Sequence, residues 1–397
     1  MNKPAICGGK AVREEKLFYG HQYIDDADIQ AVVDVLKSDY LTCGPKIGEL
    51  EQKLCDLTGA KYAVVCSNGT AALHIAALAA GVGEGDEVIT TPITFAASAN
   101  CALYCGAKPV FADINPETYN IDPAKVAELT TEKTKAVVAV DFTGQSVELD
   151  RLMAHCKENN LVLIEDGAHV IGTSYDGRMN GSIADMTTFS FHPVKTITGG
   201  EGGAVLTNNE EYYKKLLLYR AHGITRDASL MEKEVHGPWY YEQIDLGFNY
   251  RMTDMQAALI ISQMDKLPLF SERRKEIVKA YDEAFKELPQ IFVQKEIPES
   301  DTTRHLYILR IVPEKLTIDR KQFFDALAAE NICCNVHYIP TYYFPYYEKL
   351  GYGKGLCPEA ERLYDEMLTL PLYYGMTDKD VADVIEAVTK IATYFAK

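Results

Sequence analysis

The run Leu161-Val-Leu-Ile-Glu-Asp-Gly-Ala-His169 decides the fold. Four apolar residues lead into two adjacent carboxylates, and His169 stands just beyond them. Similar short runs precede it: Tyr62-Ala-Val-Val-Cys-Ser67, Glu87-Val-Ile-Thr90, Pro109-Val-Phe-Ala112 and Lys135-Ala-Val-Val-Ala-Val140. Helical patterns separate them, over residues 70–80, 95–105, 122–129 and 148–159. Short β-branched runs alternating with helices predict an α/β fold with a largely parallel sheet covered on both faces. Ligands of such sheets bind beyond the carboxyl ends of the strands. The chemistry is therefore expected at 67–71, 91–95, 141–145 and 165–169.

The chain has 397 residues, more than one core usually organises. The reading is an N-terminal arm and large domain over 1–255 and a smaller α+β domain over 256–397. In the arm region, a helix over 25–38 is capped by Asp25. The second unit opens with a long helical stretch over 253–288, interrupted at Pro268. Strand-like 305–311, a helix over 321–330, strand-like 334–338 and a terminal helix over 378–395 follow. The charge of −17, from 40 basic and 57 acidic residues, argues against nucleic-acid and anionic-membrane partners, which need a basic face. Residues 1–16 carry no apolar signal-peptide core, and no run reaches the ~18 apolar residues of a membrane span. Ten cysteines without a C-x-x-C pair read as reduced thiols in the cytosol rather than a zinc ribbon. No metal site is assigned.

Three segments carry chemistry. In Ser67-Asn-Gly-Thr-Ala71 a strand gives way to a helix through a glycine. Free N–H groups there make an anion site, although for this stretch alone a simple helix cap is the favoured reading. Asp166, at the end of an apolar strand, needs a cationic partner or it will protonate. The alternative is an acid that caps the next turn. Lys195, between Thr188-Phe-Ser-Phe191 and Gly199-Gly-Glu-Gly-Gly203, stands where a desolvated amine could form a Schiff base. An arbitrary lysine is a surface charge. Taken together, the three supply a lysine for an aldehyde, an acid for a pyridinium nitrogen and a helix end for a phosphate. Pyridoxal 5′-phosphate (PLP) needs all three. Neither G-x-G-x-x-G nor G-x-x-x-x-G-K-[ST] occurs, which weakens a dehydrogenase or P-loop reading.

From Tyr19 onward the chain resembles the DegT/DnrJ/EryC1/StrS sugar aminotransferases, which are fold-type I PLP enzymes. The motifs are Leu41-Thr-x-Gly-Pro45, Ser67-Asn-Gly-Thr-Ala-Ala-Leu73, Thr91-Pro-x-Thr-Phe-x-Ala-Ser-Ala-Asn100, Glu165-Asp-x-Ala-His169, Phe189-Ser-Phe191 with Lys195, Gly200-Glu-Gly-Gly203 and Gly247-Phe-Asn-Tyr-Arg-Met252. The resemblance implies that Lys195 carries the cofactor and shuttles the proton, and that Asp166 holds the pyridinium nitrogen. It further implies that His169 meets the ring hydroxyl, that Phe95 stacks on the ring, and that Gly69, Thr70, Ala71 and Ser190 receive the phosphate. Asn249 would reach the phosphate of a neighbouring subunit, which implies a homodimer with shared sites. Arg226, Arg251, Arg220 and His337 are the candidates for substrate contact; the arginines also read as surface salt pairs, and His337 as a structural histidine. The tripeptide His192-Pro-Val194 departs from the common family pattern.

That tripeptide, the segment Tyr342–Tyr347 and Leu370-Pro-Leu-Tyr-Tyr374 look most like the branch that makes a pseudaminic acid precursor. The branch aminates C4 of a UDP-linked 4-keto-6-deoxy-N-acetylhexosamine with glutamate. A sibling acting on a GDP- or dTDP-linked keto hexose is the nearest rival. A sugar-nucleotide dehydrogenase and a catalytically idle binding protein are more distant ones. The long polar loop 225–239, with the single Trp239, is expected near the substrate.

Overall fold

The computed structural model describes residues 3–397. Seven strands form the central sheet: β1 (Tyr62–Cys66), β2 (Glu87–Thr90), β3 (Lys108–Phe111), β4 (Thr134–Val140), β5 (Val162–Asp166), β6 (Met186–Ser190) and β7 (Gly203–Thr207). Their spatial order is β1-β7-β6-β5-β4-β2-β3. All neighbours run parallel except β7, which is antiparallel to both β1 and β6. β1, β4 and β5 are buried almost throughout because helices cover both sheet faces. On one face α3 (Gly69–Ala79) and α4 (Ala97–Tyr104) pack against Val64, Val138 and Ile164. On the other, α2 (Pro45–Thr58) and α5 (Asp254–Met264) pack against Val65, Phe189 and Leu206.

The smaller unit is built on an antiparallel sheet of β8 (Ile291–Val293), β9 (Tyr307–Ile311) and β10 (Met367–Leu370). Helices α6 (Leu267–Phe285), α7 (Arg320–Ala329) and α8 (Asp378–Tyr394) cover it. Packing draws the boundary later than residue 255. Helix α5 lies wholly in the large core, and Leu267 and Phe270 at the start of α6 join it there. Further along the same helix, Ile277, Tyr281 and Phe285 enter the small core. Pro268 sits in the first turn of α6, where no intrahelical N–H is needed.

One expected strand is absent. The run 334–338 is not a strand: only Ile332–Cys333 pairs, with Leu17–Phe18 of the arm, and Asn335 forms a single bridge to Thr369. The arm therefore belongs structurally to the small unit as well. Buried Glu330 fixes it by accepting the N–H groups of Ala5 and Val12, both at 2.8 Å. The helix expected over 25–38 spans α1 (Asp26–Leu36), with Asp25 as its cap, and packs on α5.

The tyrosine-rich segment ties the units together. Tyr342 and Tyr347 are buried against Phe111, and the Tyr347 hydroxyl donates to Asn100 at 2.7 Å. Within the smaller unit, Arg274 on α6, which is 3% exposed, ties separate segments together. Its Nη1 donates to the carbonyls of His305 and Leu372, both at 3.1 Å, and of Arg304 at 3.4 Å. Arg274→Met would leave these buried acceptors without their donor. A loss of about 2–4 kcal/mol is expected. It would be measured as a lower unfolding midpoint of the cofactor-free protein, and an unchanged midpoint would refute the assignment.

Candidate active site

The carboxyl ends of the strands converge where the sequence places the chemistry. Strand β1 ends at Cys66 and α3 begins at Gly69. Asn68 caps this helix: its side chain accepts the Ala71 N–H at 2.8 Å and its carbonyl accepts that of Ala72. The Ala71 N–H is thus committed to the cap. The N–H groups of Gly69 and Thr70 face out of the first turn and suit an anion. Glycine is needed here for close approach. A Cβ on Gly69 would lie 2.9 Å from the Ser190 Cβ, and one on Gly203 would lie 2.3 Å from the Asn68 carbonyl oxygen. The helix end, Ser190 at the end of β6 and the first residue of β7 therefore form one cradle.

Asp166 ends β5 and is 5% exposed. Burial pushes its carboxyl above the ordinary range, while three features oppose this: a hydrogen bond from Ser98, one from the Ala168 N–H, and the charge of Lys195. The Ser98 hydroxyl donates at 2.6 Å and the Ala168 N–H at 3.2 Å. Ser98 lies in α4, three residues beyond Phe95, which is 64% exposed. Lys195 follows β6 through a turn in which its N–H donates to the His192 carbonyl at 2.9 Å. Burial pulls the Lys195 amine down to about 8, with Asp166 acting to raise it.

His169 is buried, and its Nε2 stands 3.3 Å from the Tyr338 hydroxyl. Burial, with help from Lys195 and His337, holds its pKa well below the ordinary value, so the ring is neutral. His337 is brought to Lys195 as well, and they line one cavity with Tyr19, His305 and Tyr338. Its Nδ1 is 2.9 Å from the Thr369 hydroxyl, and burial lowers its pKa to about 4. Ser98, Tyr338, His305 and Tyr19 had no assigned role in the sequence reading. Ser98 could have been found as the polar position one helical turn after Phe95; the others give no local signal.

The remaining candidates lie outside this cluster. Arg226 is exposed, 5.3 Å over the Tyr241 ring. Asn249 is exposed and Arg251 half-buried, in a segment whose Tyr250 carbonyl accepts the Ser67 N–H at 2.7 Å. That contact sets the segment beside the α3 cradle. Within the loop 225–239, Trp239 is 67% exposed. All ten cysteines are free, and among the described residues no helix is long and apolar enough to cross a membrane.

The donor set fits PLP: a cradle of N–H groups and Ser190 for a phosphate, a buried acid for a pyridinium nitrogen, and a desolvated amine for an aldehyde. The fold and this set define a PLP-dependent transferase. A family model, described as the DegT/DnrJ/EryC1/StrS aminotransferase family, matches residues 22–389. The chain belongs to this family. A relative from Campylobacter jejuni (strain 81-176), the UDP-4-amino-4,6-dideoxy-N-acetyl-beta-L-altrosamine transaminase, is 40% identical over 94% of this chain and 96% of its own. Helicobacter pylori PseC, described as an aminotransferase involved in the biosynthesis of pseudoaminic acid, superposes with a TM-score of 0.88 at 32% identity. That match covers 96% of this chain and 100% of PseC. The sugar aminotransferase Spr1654 of Streptococcus pneumoniae, solved in its PMP form, gives 0.89 at 33% identity over 95% of this chain and 99% of its own. Spr1654 has also been solved in a PLP form.

The depressed Lys195 pKa has a direct consequence. Only the uncharged amine attacks an aldehyde. Below pH 8 each unit of acid removes about nine-tenths of it, and above pH 8 little more is gained. The rate at which cofactor-free protein takes up PLP is expected to climb with pH and level off just above 8. A climb that continues to the ordinary lysine range would show the amine to be solvated.

Proposed function

We propose that this chain transfers the amino group of glutamate to the C4 carbonyl of a UDP-linked 4-keto-6-deoxy-N-acetylhexosamine. The product is UDP-4-amino-4,6-dideoxy-N-acetyl-β-L-altrosamine, a precursor of pseudaminic acid. The observation that carries this reading is the near full-length likeness to the Campylobacter transaminase and to PseC, with the Lys195 amine and the buried Asp166 carboxyl each acting on the charge of the other.

In this reading Gly69, Thr70 and Ser190 hold the cofactor phosphate, and Phe95 covers one ring face. Asp166, oriented by Ser98 and the Ala168 N–H, keeps a proton on the ring nitrogen. His169, neutral and beside Tyr338, meets the ring hydroxyl. When bound, PLP supplies the carbonyl that receives amino groups and a ring that absorbs electron density. The chain supplies the proton transfer. Once its amine is free, Lys195 takes a proton from the donor carbon and returns one to the acceptor carbon in the reverse half. Burial brings its pKa near neutral pH, where one group serves as both base and acid. The amino group leaves glutamate, and the keto acid departs, before the sugar takes it up at the same site, so the two substrates take turns in a ping-pong order.

We further propose a homodimer in the cytoplasm, with Asn249 of each protomer reaching toward the other's cofactor phosphate and Arg226 and Arg251 meeting the substrate anions. Supporting this is the exposed apolar surface beside them, where Leu246 is 72% exposed and Tyr241 50% exposed.

The test is the visible spectrum of the purified protein before and after glutamate. The long-wavelength band of bound PLP is expected to collapse on adding glutamate. It should return with the UDP-linked 4-keto sugar and not with GDP- or dTDP-linked keto hexoses. A protein that stays colourless after PLP is supplied would sink the reading. Recovery only with a different nucleotide would move it to a sibling acceptor. Lys195→Ala should retain PLP and lose essentially all turnover; near-native turnover would reject Lys195 as the base.

A further inference from the structure

The cavity beside Lys195 measures about 30 Å³. One wall is Lys195 with Val194; the others are His305, His337, Tyr338 and Leu372 of the small unit and Tyr19 of the arm. Asp166, Gly69 and Ser190 do not border it. It therefore lies on the small-unit side of the amine, away from the phosphate cradle and the ring-nitrogen acid. Its size suits one hydroxyl-sized group.

His305 is the wall residue left without a task. It is 4% exposed, and its Nδ1 is buried with no hydrogen-bond partner. Its main chain is fixed on both sides: the N–H donates to the Thr143 carbonyl at 2.7 Å, and the carbonyl accepts Arg274 Nη1 at 3.1 Å. Its ring packs against His169 with centroids 4.4 Å apart. A buried imidazole held this firmly costs stability where its nitrogen goes unpaired, and a water or a ligand hydroxyl in the recess would relieve that cost.

We infer that His305 reads one hydroxyl of the acceptor sugar, on the carbon next to the carbonyl, through a hydrogen bond made in this recess. This rests on the amination reading above. The carbonyl carbon must come to the Lys195 amine, so a substituent one carbon away enters a recess that Lys195 itself walls. A carboxylate of the amino donor is too large for the space and would call for a cation. The imidazoles around it are kept uncharged by burial. A methyl group would leave the ring unsatisfied. A hydroxyl both donates and accepts, so it pairs with whichever nitrogen of the neutral imidazole it meets, protonated or bare.

The experiment compares the keto-sugar nucleotide that restores the cofactor band with its analogue lacking the adjacent hydroxyl. Both are tested on the native enzyme and on His305→Ala and His305→Gln, each loaded with PLP. The native enzyme is expected to prefer the hydroxylated sugar in kcat/KM by on the order of 100-fold or more, because a site built for a hydroxyl rejects a substrate that lacks it. In His305→Ala this preference should fall to a few-fold, and the sugar half-reaction should lose more than the glutamate half-reaction, both read from the same band. His305→Gln, which presents a neutral amide, should recover part of the preference. A native-like preference in His305→Ala would overturn the inference. So would an equal slowing of both half-reactions, which would mark His305 as packing alone. If the native enzyme accepts no keto sugar at all, the amination reading falls first, and that result is distinct from either of these.

Discussion

A carboxyl group at the buried end of a parallel strand is the constraint on which the rest of the site depends. Left alone, Asp166 would take up a proton. The fold opposes this with donors from two directions, Ser98 on α4 and the Ala168 N–H in its own turn. Those donors exist only because β5 lies between β4 and β6, with α4 laid across the sheet. Lys195 completes the arrangement without cancelling it. Burial pushes both the amine and the acid toward neutrality, and each partly restores the charge of the other. A pair poised in this way is primed for an aldehyde on one side and a pyridinium on the other, which is a firmer statement than either residue supports alone.

The second constraint is that the cleft has walls from two units that share a helix. Helix α6 begins in one core and ends in the other, so no flexible linker separates them. From its middle, Arg274 gathers the carbonyls of Arg304, His305 and Leu372. Two of these residues, His305 and Leu372, wall the cavity beside Lys195. The arm adds a further wall: Tyr19 lies 5.2 Å from the His337 ring and its carbonyl accepts the Leu372 N–H. The substrate side of the site is thus set by contacts among segments far apart in the chain.

This explains what could and could not be read beforehand. The strands β1 to β5, the helices between them, Lys195 and Asp166 are legible because strand and helix periodicity are local and ligands gather at strand ends. Strand β7 is not, since Gly203-Ala-Val-Leu-Thr207 follows a glycine-rich turn and gains its place only by pairing antiparallel with two distant strands. Alternation in Cys334-Asn-Val-His-Tyr338 suggests a strand, yet the alternate side chains serve other neighbours: Val336 the apolar cores, and His337 and Tyr338 the cleft. The border between the units is blurred for a related reason. The apolar spacing of α6 continues unbroken through both cores, so composition marks no border. His305 looks like the first residue of a strand, and only the packing against His169 gives it meaning.

The charges in the cleft argue for a division of labour. Both proposed substrates are anionic, glutamate through its carboxylates and the sugar through its diphosphate, whereas the chain as a whole carries −17. Close to Lys195 the walls are neutral imidazoles, tyrosines and leucines. The cationic candidates stand further out, Arg226 over Tyr241 and Arg251 beside the α3 cradle, on the segment that also exposes Leu246 and Asn249. In the proposed dimer that segment meets the partner, so capture of anions depends on assembly and weakens with salt, as exposed charges do. Discrimination between sugars rests on the neutral inner wall, which salt leaves untouched. Affinity and specificity therefore answer to different residues, and a change in one need not carry the other with it.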